Sequence, residues 1–124
     1  MRPATLILLT AADVLSQPEN WTQHTYARDD SGRGQLVYSP NASCWCAMGA
    51  IQAAAAELFG ERVKDGAIPF IQPHFRAARD HWIRHSHAVF GLNPIDLNDG
   101  STSTNEQVAA ALYSAAEAYE RENA

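Results

Sequence analysis

The sequence predicts a mainly α-helical protein, a compact bundle of about four helices with a short β-hairpin or irregular segment between the first and second helices. Four stretches place apolar residues at helical spacing, and each predicts one buried face. Proline or a capping residue begins these stretches, and proline or glycine ends most of them. Residues 21–38 lack helical spacing and contain the dense turn signal Asp-Asp-Ser-Gly-Arg-Gly at 29–34. With 124 residues, the chain is expected to form a single domain, 1–124.

The first predicted helix runs from Pro3 to about Gln17, with Leu6, Leu9 and Leu15 on its buried stripe. Residues 21–23 and 26–28 are predicted to be extended, and residues 35–38 to return as a second short strand.

The second predicted helix runs from about Pro40 to Phe59, with Ser39 as its cap and Gly60 as its stop. The third runs from about Pro73 to Phe90, where Gly91 ends it. Its predicted buried face is Phe75, Ala78, Trp82, Val89 and Phe90.

A capping box of Thr104 and Gln107 opens the last helix. Its predicted buried face is Val108, Ala111, Leu112, Ala115, Ala116 and Tyr119. Residues 61–72 are predicted to be mixed in structure, with a loop at 67–71 that covers the core, and residues 92–102 are predicted to be a loop. We expect the first, second and last helices to form the core and the third to pack across it.

Charge and composition narrow the choice of partners and compartment. A net charge of −5 disfavours nucleic acids and anionic membranes, because both attract basic surfaces. The apolar run after Arg2 is short and is interrupted by Asp13, so an amphipathic helix is favoured over a signal peptide. No stretch approaches the roughly 20 apolar residues of a membrane span. The two cysteines are expected to stay free, which suits a reducing compartment, so the sequence predicts a protein of the cytoplasm.

Cys44 and Cys46 are the two cysteines of the chain. Two residues apart on a helix they point about 200° away from each other, which disfavours a disulfide between them. One interpretation is a thiol site activated by the helix N-terminus. The favoured interpretation is core packing, with both thiols reduced and Cys44 buried beside Met48 and Ile51.

His81 and His85 are four residues apart, so on a helix they share one face and could chelate zinc or iron with Asp99. Two histidines alone make an incomplete metal site, and the favoured interpretation is an exposed histidine edge without a metal. Asn98 and Asp99, before Thr104, either supply a general acid or base or, as favoured, organise the turn into the last helix.

Four short motifs, in this order, carry a resemblance to a known family. They are Trp-Thr-Gln at 21–23, Tyr-Ala-Arg-Asp at 26–29, Cys-Trp-Cys-Ala-Met-Gly-Ala at 44–50, and Asn-Asp at 98–99 followed by Thr104. The chain resembles a family of small uncharacterised proteins from actinobacteria, other bacteria and their phages. The resemblance implies an accessory role, such as modulating a host protein, and no specific activity. It marks as a structural motif Cys44, Trp45, Cys46, Gly49, Asn98, Asp99 and Thr104.

The favoured functional prediction is a non-catalytic, cofactor-free module that binds another protein. Residues 59–97 match the family poorly and contain the predicted contact residues His74, Arg76, Arg79, His81, Arg84 and His85. Arginine and aromatic residues are the usual anchors of such surfaces. The alternative is a small metal-dependent enzyme or metal-binding protein that uses His81, His85 and Asp99 with zinc or iron, assisted by a cysteine.

Overall fold

A computed structural model describes residues 1–62 and 72–124 and confirms the mainly helical fold. These residues form five α-helices, a 3₁₀ turn, a π-helical turn and two short strands. In chain order they are α1 (Pro3–Leu15), the 3₁₀ turn (Pro18–Asn20), β1 (Ala27–Arg28), β2 (Cys44–Trp45), α2 (Ala47–Phe59), α3 (Pro73–His85), the π turn (Ser86–Phe90), α4 (Pro94–Asp99) and α5 (Asn105–Glu122). The loop predicted at 67–71 lies outside the described residues. No helix in the described ranges has the length and apolarity to cross a membrane.

Helix α1 lies at the centre of the fold and contacts α2, α3 and α5. Its fully buried residues are Ile7, Leu8, Ala11, Ala12 and Leu15. The predicted stripe through Leu6 was wrong at that position, because the Leu6 side chain is 37% exposed. Since three helices surround α1, its buried surface includes alanines, which let neighbouring helices approach closely.

Helices α1 and α5 run antiparallel, and polar contacts join them at both ends. The backbone N–H of Arg2 donates to Glu120 Oε1 at 2.7 Å. At the opposite end, Asn105 Nδ2 donates to the carbonyl oxygen of Leu15 at 3.1 Å. The beginning of α1 therefore lies beside the end of α5.

The capping box at the start of α5 is present as predicted. Thr104 Oγ1 accepts from the backbone N–H of Gln107 at 3.2 Å, and Gln107 Oε1 accepts from the backbone N–H of Thr104 at 3.1 Å. The predicted apolar face of α5 is also confirmed, since Val108, Leu112 and Ala115 are fully buried.

Helix α3 packs across α1, α2 and α5, with Phe75, Ala78 and Trp82 buried as predicted. Its first turn is capped from outside the helix. The Glu61 carboxylate accepts hydrogen bonds from the backbone N–H groups of Phe75 at 2.8 Å and His74 at 3.3 Å. A carboxylate at a helix N-terminus also interacts favourably with the helix dipole.

Helix α3 continues into the π turn and ends at Gly91, whose φ of 68° suits a glycine. The predicted burial of Val89 and Phe90 was wrong, because their side chains are 56% and 42% exposed. The π turn hydrogen-bonds over a longer interval than an α-helix. It therefore rotates the residues after His85 out of the register that buries Trp82.

Helix α2 begins at Ala47, not at Pro40, because the chain before it is extended. Cys44 pairs with Arg28 and Trp45 with Ala27 in an antiparallel ladder. The predicted second strand at 35–38 is therefore replaced by β2. The predicted loop at 92–102 also differs, since it contains the six-residue helix α4.

Gly49 allows the segment before β1 to lie directly against α2. A Cβ atom at Gly49 would lie 2.2 Å from the carbonyl oxygen of Tyr26, a backbone atom. We therefore expect Gly49→Ala to lower the free energy of unfolding by about 1–3 kcal/mol through overpacking. Chemical denaturation measures the difference.

The matched control is Gly34→Ala, because the closest atom to a Cβ there lies 4.0 Å away. Its free energy of unfolding should stay within about 1 kcal/mol of the wild type. Equal effects of the two substitutions would contradict the close contact between Tyr26 and α2.

Candidate functional site

The Asn98 side chain joins three of the motif segments, and it is buried, with 3% exposure. Its Oδ1 accepts from Trp21 Nε1 and from the backbone N–H of Ala47, both at 3.0 Å. Its Nδ2 donates to the carbonyl oxygen of Thr22 at 3.1 Å and to Asp99 Oδ1 at 2.8 Å. A carboxamide offers two donors and two principal acceptor directions, so these four bonds occupy the group.

The backbone around Asn98 is held by the same motifs. Gln23 Nε2 donates to the carbonyl oxygens of Asn98 at 3.0 Å and Gly100 at 3.1 Å. Ser103 Oγ donates to the carbonyl oxygen of Leu97 at 2.8 Å. The end of α4 is therefore fixed from both sides before Thr104 begins α5.

Cys44 does not lie on a helix, which corrects the prediction that packs it beside Met48 and Ile51. It is half-buried in β2, and its Sγ contacts the carbonyl oxygen of Arg28 at 3.7 Å. Between the cysteines, Trp45 Nε1 donates to the carbonyl oxygen of Val37 at 3.2 Å. Both thiols are free, as predicted.

Cys46 is the N-cap of α2, because its Sγ accepts from the backbone N–H of Gly49 at 3.3 Å. Burial raises the pKa of the Cys46 thiol above its ordinary value. The hydrogen bond from Gly49 opposes that rise, and the charge of Asp99 adds to it. The thiolate that nucleophilic chemistry needs is therefore disfavoured here.

The Arg28 side chain hydrogen-bonds to residues in and next to the motif segments. Its guanidinium donates to Thr22 Oγ1 at 2.9 Å and to the carbonyl oxygens of Gln23 at 3.1 Å and Gly32 at 3.0 Å. The neighbouring Asp29 carboxylate accepts from Ser31 Oγ and from backbone N–H groups, and these bonds lower its pKa to about 2. This pair organises the turn between 28 and 34.

Asp99 lies at the exposed edge of the Asn98 cluster beside His24. Asp99 Oδ1 accepts from the backbone N–H of His24 at 3.0 Å, and Oδ2 lies 3.8 Å from His24 Nδ1. His24 has a φ of 70°, an uncommon conformation for a residue with a side chain. His24 was not predicted from the sequence, because no local pattern indicates a left-handed residue there. The contacts of Asp99 match the loop-organising role favoured from the sequence.

His81 and His85 face α5 and are buried, with 3% and 8% exposure. His81 Nε2 donates to the carbonyl oxygen of Ala115 at 2.9 Å, and His85 Nε2 lies 3.0 Å from Ser114 Oγ. The predicted exposed histidine edge was wrong for this pair, because the apolar face of α3 turns both rings toward α5. Neither ring belongs to an exposed contact surface.

The structure does not bring together His81, His85 and Asp99, the three metal ligands of the alternative prediction. Asp99 contacts His24 and Asn98, whereas the two histidines contact α5. Among the residues that the structure describes, no group of three or more His, Cys, Asp or Glu side chains is arranged to hold a metal ion.

The remaining predicted contact residues differ in whether they already contact other residues of the chain. Arg76 and Arg79 both interact with Asp80, at 3.8 and 2.9 Å. The ring of His74 packs on Phe59 with centroids 4.8 Å apart. Arg84 is exposed, and it makes no ion pair with any residue in 1–62 or 72–124.

An exposed apolar surface follows Arg84, and we call it the apolar turn. It consists of Val89, Phe90, Leu92 and Ile95, whose side chains are 56%, 42%, 43% and 70% exposed. Val89 and Phe90 lie in the π turn and Ile95 in α4, and these two elements contact each other. This surface was not predicted from the sequence, because helical spacing assigns Val89 and Phe90 to the core. The available signal was Leu92 and Ile95, two large apolar residues within a predicted loop.

Replacing Asn98 should test whether its amide holds the motif segments together. Asn98→Asp keeps an acceptor for Trp21 and Ala47 but places a second oxygen against the carbonyl of Thr22 and the carboxylate of Asp99. We expect the free energy of unfolding to fall by about 2–4 kcal/mol, because buried acceptors then face each other. Asn41→Asp, at an exposed asparagine, is the control and should change stability by less than about 0.5 kcal/mol. Equal denaturation midpoints would contradict this role.

The buried histidines predict how stability depends on pH. Burial lowers the pKa of His81 and of His85, and the exposed Glu122 carboxylate near them only partly opposes this. Below an ordinary histidine pKa of about 6.5, the unfolded chain therefore binds more protons than the folded protein. We expect these two residues to make the free energy of unfolding fall as the pH drops from 7.5 to 5.5.

Denaturation of a His81→Gln/His85→Gln variant should show a weaker loss between these pH values than the wild type. The control His87→Gln changes an exposed histidine on the π turn. It should keep the wild-type pH dependence. An unchanged dependence in the double variant would show that the buried pair does not cause the loss.

Comparison with known proteins agrees with the expectation that the chain belongs to an uncharacterised family. No curated protein and no solved structure matches the chain. A model of a family of unknown function, DUF6197, matches residues 1–118 and so includes all four motif segments. The chain belongs to this family of unknown function.

Proposed function

We propose that the chain is a non-catalytic module that binds another protein through the apolar turn. The observation that carries the proposal is the exposure of four large apolar side chains between residues 89 and 95. Exposed apolar residues grouped in one place are typical of interaction sites, whereas scattered ones are ordinary. The π turn that contains Val89 and Phe90 adds to this argument, because such turns are frequent at functional sites.

The polar residues of the motifs support a binding role over a catalytic one. The Asn98 amide has all four of its bonding directions occupied by protein groups. The Cys46 thiol caps α2 and has a raised pKa. Both groups contribute to the architecture that holds α2 and α4 in place.

We further propose that the partner is a host protein in the cytoplasm and that the chain serves a phage or mobile element as an accessory protein. The family resemblance and the two free cysteines motivate this proposal. Sequencing the genes beside this one tests it: phage or mobile-element genes there would support it, and a housekeeping operon would contradict it.

Ile95→Ser tests the binding function, and Leu36→Ser is a matched control because Leu36 is 69% exposed and Ile95 is 70% exposed. Each immobilised protein is incubated with lysate of the source organism, and the bound proteins are quantified. We expect the wild type and Leu36→Ser to recover the same partner. Ile95→Ser should recover at least about tenfold less of this partner. The reason is that burying an isoleucine side chain contributes about 1.5–3 kcal/mol to binding.

The purified partner is then titrated against the three proteins to obtain dissociation constants. Matching thermal unfolding curves exclude a loss of folding in the variants. Equal affinities of all three proteins for the partner would reject the apolar turn as the contact surface.

A further inference from the structure

Resting on the binding function proposed above, we infer that the apolar turn binds a short amphipathic segment of a protein that places carboxylates beside its apolar side chains. The inference combines three observations: the local charge, the unengaged state of Arg84, and the small extent of the surface. They define the chemistry of the partner and make Arg84 and His87 its specificity-determining residues.

The exposed residues that lead into the apolar turn are basic or neutral, although the chain as a whole is acidic. The chain has a net charge of −5, whereas residues 81–95 contain one arginine, three histidines and no Asp or Glu. Of the three histidines, His81 and His85 are buried, and His87 is exposed. The surface that leads into the apolar turn therefore carries the basic residues Arg84 and His87, whereas the exposed Asp96 carboxylate, after Ile95, accepts a hydrogen bond from Asn93 Nδ2 at 2.9 Å. The side of the apolar turn toward Arg84 favours a partner with negative charge at its rim.

Arg84 is the cation best placed to meet that charge. It is exposed at the end of α3 and has no ion-pair partner in the described parts of the chain. Arg76 and Arg79, on the same helix, both interact with Asp80. His87 follows Arg84 by three residues and lies in the same π turn as Val89 and Phe90. Arg84 can form a bidentate pair with a carboxylate without first breaking an internal contact.

The small size of the apolar turn favours a short segment as its partner over a second folded domain. A stable interface between folded proteins takes about 20–30 residues from each side. The apolar turn offers four large apolar residues within seven positions. That extent matches the few anchor side chains of a helix or short peptide laid on a partner. It also disfavours a second copy of this chain as the occupant.

Selection from a displayed library of random 12-residue peptides tests the inference, with the full-length protein as bait. Enriched peptides are synthesised with a fluorophore and titrated by anisotropy against the wild type, Ile95→Ser and Arg84→Glu. Two matched controls, Leu36→Ser and Arg33→Glu, change an exposed leucine and an exposed arginine in residues 31–36. Arg84→Gln is measured as well, because it removes the positive charge without introducing a negative one.

We expect the enriched peptides to combine Leu, Ile or aromatic residues with Asp or Glu. Ile95→Ser and Arg84→Glu should each weaken binding by about tenfold or more, Arg84→Gln should weaken it less, and both controls should match the wild type. Raising the salt concentration from 50 to 500 mM should weaken binding to the wild type and have less effect on Arg84→Gln.

The contrary outcomes separate this inference from the proposed function. Peptides that lose affinity for Ile95→Ser but not for either Arg84 variant would reject the carboxylate partner and leave the binding function intact. Peptides that bind Ile95→Ser and the wild type equally would reject the apolar turn itself. A wild-type dimer in sedimentation equilibrium that Ile95→Ser dissociates would make the occupant a second copy. A selection without enrichment over an empty support would also overturn the inference.

Discussion

The amide of Asn98 is the constraint on which the irregular half of the molecule depends. One buried side chain bonds to Trp21, to Thr22, to the first turn of α2 and to its neighbour Asp99. Its two donors and its acceptor oxygen point in opposite directions, which neither a carboxylate nor a hydroxyl reproduces. Because residues 21–46 contain little regular structure of their own, these bonds replace the ladder hydrogen bonds that a sheet would provide.

The regular helices were predictable because their signals are local. The burial of Phe75, Ala78 and Trp82 follows directly from helical spacing, and the capping box identifies the start of α5 at Thr104. The start of α2 was not predictable from the same rules. Ser39 and Pro40 are a good helix opening, yet pairing between Cys44 and Arg28 keeps the following residues extended. That pairing spans 16 residues, so a tertiary contact overrides the local preference.

The candidate site was also predictable only in part. The four motifs identify Trp21, Asn98 and Gly49, but their mutual contacts join residues up to 77 positions apart, which spacing along the chain cannot reveal. The apolar turn was missed for a different reason. Helical spacing continued past His85 predicts that Val89 and Phe90 are buried, and the π turn breaks that periodicity. A sequence pattern that assumes one period cannot detect a change of period at the end of a helix.

Helix α4 connects the two regions and gives the motif network a role in presenting the apolar turn. It is six residues long, too short to be stable alone, and Asn98 holds its last turn. Leu97 is buried, whereas Ile95, two positions earlier and about 200° around the helix, is 70% exposed. At the other end, the backbone N–H of Leu92 donates to the carbonyl oxygen of Ser86 at 3.3 Å and so ties the connection to the π turn. A backbone held in this way loses little freedom when a partner binds, which favours affinity from a small surface. The buried amide of Asn98 and the exposed apolar residues are therefore parts of one arrangement. The hydrogen bonds on the buried face of α4 fix the position of Ile95 on its exposed face.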